Sequence, residues 1–121
     1  MNPEIAKCLS QAIEMHLGSH LSQCYWHKIN IAHDQLELLV KEKEDSTSQA
    51  VVIRLTVAEV HREIHISNIF MPMFMRRQGI GKELIAKIYQ VAKSFGYSLF
   101  IVQMTESFFG RMAKRGAVVI E

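Results

Sequence analysis

The chain has 121 residues, 49% hydrophobic and 21% charged, with a formal net charge of +2. That is the make-up of one globular domain over 1–121, long enough to bury a core without disulfide or metal staples. A charge so near neutrality offers no electrostatic footprint for nucleic acid, and Cys8 and Cys24 lack CxxC spacing, which argues against a disulfide framework or a zinc ribbon. No apolar run is long enough to span a membrane, and the N-terminus has no charged-then-apolar signal layout. The expectation is a soluble cytoplasmic protein with reduced thiols.

In chain order, Asn2-Pro3-Glu4 reads as a helix start, with Asn as N-cap, Pro at the first helical position and an acid in the first turn. Ile5, Leu9, Ala12, Ile13 and Leu17 then recur at helical spacing, and Gly18 is placed to end the helix, predicting residues 3–17. Strands follow over 24–32 and from Leu36 through Val40, with Asp34 in the turn between them. The charged stretch 41–48 predicts a solvated hairpin tip before a strand over 50–57, and a tight connection at Ala58-Glu59 leads to a strand from about His61 to Met71. A second helix is expected from Gly79 to about Phe95, closed by Gly96. A short apolar strand at Leu99–Val102, a short helix over 106–115 and a last strand over 116–120 complete the order. The fold class is α/β of the α+β kind: a helix, a four-stranded antiparallel meander, then α-β-α-β.

Between the fourth strand and the second helix lies Met71-Pro72-Met73-Phe74-Met75-Arg76-Arg77-Gln78-Gly79-Ile80-Gly81-Lys82. A strand, a glycine-bearing turn and a helix N-terminus make an anion site. The glycines let a ligand approach the backbone, the first-turn N–H groups have no helical partner, and the dipole adds positive potential. Arg76 and Arg77 add fork-shaped donors suited to phosphate. Two familiar phosphate loops fail on spacing. A P-loop needs glycine where Arg76 stands and a hydroxyl where Glu83 stands, and a dinucleotide fingerprint needs glycine where Leu84 stands.

Arg76-Arg77-Gln78-Gly79-Ile80-Gly81 does fit [Arg/Gln]-x-x-Gly-x-[Gly/Ala], which resembles the acyl-CoA pyrophosphate loop of the GNAT superfamily of N-acetyltransferases. With Pro72 and Met75 upstream, it is similar to the Pro-x-x-Met-Arg-x-x-Gly-Ile-Gly form of small bacterial-type members. The resemblance covers about residues 61–119. It implies acetyl-CoA as acyl donor, an amine as acceptor, direct transfer in a ternary complex and no metal. It assigns the pyrophosphate to the backbone of Gln78, Gly79, Ile80 and Gly81 with help from Arg76, Arg77 and Lys82. Polarisation of the thioester carbonyl falls to N–H groups near Phe70 and Met71, where the fourth strand splays from the fifth. Met71 and Met73 supply apolar contacts, and Thr105 takes the place where an Asn often contacts CoA. The chain stops after one strand where members usually have two, so either a second copy completes the sheet in a homodimer or an edge stays open.

The base and the acid are less plainly written. Alternation puts His61, Glu63, His65 and Ser67 on one face of the fourth strand. Glu63 best matches the family's usual base, and His65 comes second. The same row also reads as the solvated face of a half-buried strand. Aligning on Gly116 puts Met112 where the family's acid is often Tyr, and methionine cannot protonate a thiolate. A GNAT fold that binds CoA or a protein partner with little catalysis is therefore the alternative. Elsewhere, His16 and His20 have ligand-pair spacing but stand either side of the expected helix end at Gly18. Cys24 has no evident activating base, so it reads as a buried thiol.

Overall fold

The computed structural model describes residues 1–44, 49–72, 78–102 and, for the backbone, 118–120. Its elements are α1 (Pro3–Leu21), β1 (Trp26–Ala32), β2 (Gln35–Lys41), β3 (Ala50–Ala58), β4 (Glu63–Ile69), α2 (Ile80–Ser94), β5 (Ser98–Val102) and β6 (Val118–Ile120). The strands form one sheet in the order β1-β2-β3-β4-β5-β6. The first four pair antiparallel as the expected meander, β5 joins β4 in parallel, and β6 joins β5 in parallel. The mixed α+β architecture read from the sequence is the one observed. The expected short helix over 106–115 lies outside the described residues.

Strand alternation sorts the side chains. Leu36, Leu38, Val40, Leu55, Val57, Ile64, Ile66, Leu99 and Ile101 point inward and are buried. They share one core with Ile5, Leu9, Ile13 and Leu17 of α1 and with Ile80, Leu84, Ile85 and Ile88 of α2. Residues of opposite parity form the other face. Glu37 and Arg54 pair across β2 and β3 with an Arg54 Nη2–Glu37 Oε2 distance of 2.9 Å, and Thr56 lies opposite His65 and Ala58 opposite Glu63.

Asn2 caps α1 as expected, accepting a bond from the Glu4 N–H at 2.8 Å. The far end is different: the helix runs through Gly18 to Leu21 and closes at Ser22, whose N–H donates to Gly18 O. A helical glycine costs roughly 1 kcal/mol relative to alanine. Leu21 continues the apolar stripe one turn beyond Leu17 and is 2% exposed. Burying such a side chain stabilises by about 1.5–3 kcal/mol, which outweighs the glycine. The fourth strand is likewise shorter than expected. His61 sits in the exposed turn closed by Arg62 N–H to Glu59 O at 3.2 Å, so it does not share the β4 face with Glu63 and His65.

A Cβ added at Gly18 would meet nothing within 4 Å, and its φ is not positive. Gly18→Ala should therefore raise stability by about 0.5–1 kcal/mol, seen as a higher urea midpoint with an unchanged slope.

Candidate active site

β4 is held on both sides only over its first half. Its ladder with β5 runs from Glu63–Ser98 through Ile64–Leu99 and His65–Phe100 to Ile66–Ile101. On the β3 side, Leu55 pairs with Ile66 but Arg54 pairs with Asn68, leaving Ser67 as the extra residue of a bulge. A bulge bends its strand and increases local twist. Past it β4 follows β3: Ser67 Oγ lies 3.5 Å from Arg54 O, the Asn68 amide donates to Val51 O at 3.1 Å, and Phe70 N–H donates to Val52 O at 2.8 Å. β5 meanwhile continues to Val102, which pairs with Ile120 of β6. Among the described residues the β4–β5 pairing thus ends at Ile66–Ile101, at the carboxyl end where the sequence expects a substrate arm to lie. The Phe70 N–H, one of the amides expected to polarise the thioester, is engaged by the sheet.

α2 begins at that same end of the sheet. Gly79 is its N-cap, at φ +71°, with no side-chain cap, and Glu83 N–H makes the first helical bond to Gly79 O at 3.1 Å. The first-turn N–H groups of Ile80, Gly81 and Lys82 have no partner within the helix. A Cβ placed on Gly79 would meet nothing within 4 Å, so the turn faces open space. Gln78 and Gly79 are exposed, Ile80 and Gly81 buried, and Lys82 half-buried. The conformation, a left-handed glycine entering a helix N-terminus, is of the kind whose unpartnered N–H groups and dipole favour an anion. Met73, Arg76, Arg77 and Thr105, together with Met112, lie outside the described residues.

The polar face of β4 carries the expected base residues. Glu63 Oε1 stands 3.5 Å from His65 Nε2, and both side chains are about 30% exposed, at 28% and 31%. The pair is within ion-pair distance but not aligned as a hydrogen bond, so among the described residues Nε2 is enclosed without a hydrogen-bond partner. The imidazole lies against Phe100 of β5, ring centroids 5.1 Å apart and tilted by 37°. A buried polar atom without a partner is uncommon in a purely structural role. A neutral imidazole beside a carboxylate can accept or relay a proton near neutral pH.

One residue near the site escaped the sequence reading. His16 of α1 places Nε2 3.2 Å from Ile80 O and 3.8 Å from Glu83 Oε2, both in the first turn of α2. The sequence reading weighed His16 only as half of a ligand-spaced pair with His20, and nothing in local spacing points to α2. Cys24 behaves as expected of an inert thiol. Burial pushes its pKa up, and its Sγ lies 2.8 Å from Leu21 O. Among the described residues no group of three or more His, Cys, Asp or Glu side chains could hold a metal, and no helix is long and apolar enough to cross a membrane.

A model of the acetyltransferase (GNAT) family matches residues 7–110. No curated protein and no solved structure matches the chain.

Gly79 differs from Gly18 in its positive φ. Gly79→Ala should destabilise the fold by about 1–2 kcal/mol although the added methyl has room, because the left-handed backbone crowds any Cβ. Parallel urea titrations of the two alanine variants, with shifts of opposite sign, check both assignments.

Proposed function

The chain belongs to the acetyltransferase (GNAT) family, and on that premise we propose that it is an acetyl-CoA-dependent N-acetyltransferase acting on a primary amine. The observation that carries this reading is the uncapped, glycine-led N-terminus of α2, facing open space at the end of the sheet where the β4–β5 pairing stops. These residues fit the donor. Backbone N–H groups of Gln78, Gly79, Ile80 and Gly81 would hold its pyrophosphate, with Arg76, Arg77 and Lys82 supplying counter-charge. By the family resemblance, Phe70, Met71 and Met73 would lie along the pantetheine arm, and Thr105 takes the place where an Asn often contacts CoA. Bound acetyl-CoA supplies an acyl thioester, which an unprotonated amine converts to an amide and a free thiol.

The chain's own part is orientation and proton handling. At neutral pH an alkylammonium acceptor has no lone pair to attack with, so a base must take its proton first. Glu63, accessible on the polar face, takes it directly or through one water. His65 Nε2, enclosed 3.5 Å from that carboxylate, is the next acceptor in line. Polarisation of the thioester carbonyl falls, by the family resemblance, to backbone N–H groups near Phe70 and Met71, of which Phe70 N–H also donates to Val52 O. No metal enters this reaction, since the thioester is already activated.

A second reading is favoured by Met112, which stands where related sequences often carry a Tyr acid. There the protein binds CoA or a partner and turns over slowly. Turnover separates the two: both readings expect CoA binding, but only the first expects thiol release on adding amines.

Calorimetric titration with acetyl-CoA and CoA should show micromolar binding to the wild-type chain and none to a folded Gly79→Val variant. Equal affinity in both would refute the cradle. Glu63→Gln should lower the acetylation rate at pH 7 by roughly 10²-fold or more, with partial recovery at high pH where the amine loses its own proton. A wild-type pH–rate profile would return Glu63 to a solvated surface role.

A further inference from the structure

The first turn of α2 is anchored to the core through Ile80, but among the described residues no side-chain cap fixes its N-terminus. Its N-cap is glycine, and a left-handed glycine at the boundary is a pivot. What reaches it comes from the other end of the sequence. His16, in the fourth turn of α1, directs its imidazole across the interhelical contact so that Nε2 lies 3.2 Å from Ile80 O. That oxygen accepts, so the proton must be on Nε2. The same nitrogen stands 3.8 Å from Glu83 Oε2, and the His16 side chain is only 13% exposed while Glu83 is 65% exposed. The imidazole is therefore packed and directional, and the carboxylate beside it is free to move in solvent.

We infer that His16 is a positioning residue for the donor site, setting the rotation of the α2 first turn so that its N–H groups converge on one point. This inference rests on the CoA reading above. The geometry makes the link specific. Ile80 is the first helical residue, and its carbonyl shares one planar peptide unit with the Gly81 N–H, one of the groups that would face the pyrophosphate. A bond to its carbonyl oxygen holds that peptide at one rotation about the helix axis. An anion held by several converging amides loses affinity quickly when their directions scatter, because each hydrogen bond weakens steeply away from linearity. The bond lies outside the acyl-transfer chemistry, so its loss should appear in donor binding and leave the chemical step alone.

The test uses the full chain with His16→Ala and His16→Gln, whose amide can still donate to Ile80 O. CoA affinity should fall about 3- to 10-fold in His16→Ala, the factor one hydrogen bond is worth, and be largely restored in His16→Gln. In acetyl transfer, KM for acetyl-CoA should rise by the same factor with kcat at saturation within about twofold of wild type. Amide hydrogen exchange without ligand provides the independent arm: Glu83 and Leu84, the first amides bonded within α2, should exchange faster in the alanine variant while the α2 interior stays protected. Unchanged exchange at those amides overturns the positioning role whatever the ligand. Faster exchange with no CoA binding by the wild-type chain would keep the restraint and sink the donor reading instead. Unchanged CoA affinity in His16→Ala, or a fall in kcat with KM fixed, overturns the inference.

Discussion

The carboxyl end of β4 is where the competing demands on this sheet meet. β4 is antiparallel to β3 and parallel to β5, and its ladder with β5 ends at Ile66–Ile101 because the Ser67 bulge commits the rest of the strand to β3. Two consequences follow from that one irregularity. Past Ile66 the described backbone of β4 bonds to β3, with Phe70 N–H donating to Val52 O, and no longer pairs with β5. And the chain leaving β4 must cross back over the core before it can start β5, which puts the N-terminus of α2 at the same end. The end of the β4–β5 pairing and the N-terminus of α2 therefore come to the same end of the sheet without either requiring the other's residues.

The core and the chemistry share strands by parity. Ile64 and Ile66 are fully buried against α1 and α2, and that requirement alone puts Glu63, His65 and Ser67 on the opposite face. A slip of one residue would bury a carboxylate and an imidazole and expose two isoleucines, so the register that stabilises the domain also presents the polar row. Phe100 then turns a strand histidine into an enclosed one. Its ring covers one side of the imidazole and leaves Nε2 with Glu63 as its only near neighbour of opposite charge among the described residues.

α1 contributes more than apolar surface. Its stripe from Ile5 to Leu21 fills the core against both α2 and the sheet, and the added turn past Gly18 carries His16 in regular helix. Had the helix ended at Gly18, the imidazole would sit in a fraying terminus and could not hold a fixed bond to Ile80 O. A few kcal/mol of burial at Leu21 thus secures a polar contact sixty-four positions away in the chain.

Much of this was legible in the amino-acid pattern. The helix start at Asn2-Pro3, the period-two strands, the glycine turn at Gly79 and the polar row on β4 are local features, and local sterics and periodicity determine them. The family was legible in the same local pattern, and a model of the acetyltransferase (GNAT) family matches residues 7–110; at Gly79 the positive φ is a conformational requirement written in residue type. What the sequence left open depended on contacts between distant segments. Whether Gly18 stops a helix turns on what Leu21 finds to bury against. Whether His61 joins the β4 face turns on where the β3–β4 turn closes. The bulge at Ser67 has no marker of its own, because it arises from the register that β3 and β5 jointly impose. The His16–Ile80 contact depends on how two helices sixty residues apart settle on one sheet, and packing of the whole core, rather than any local spacing, decides that.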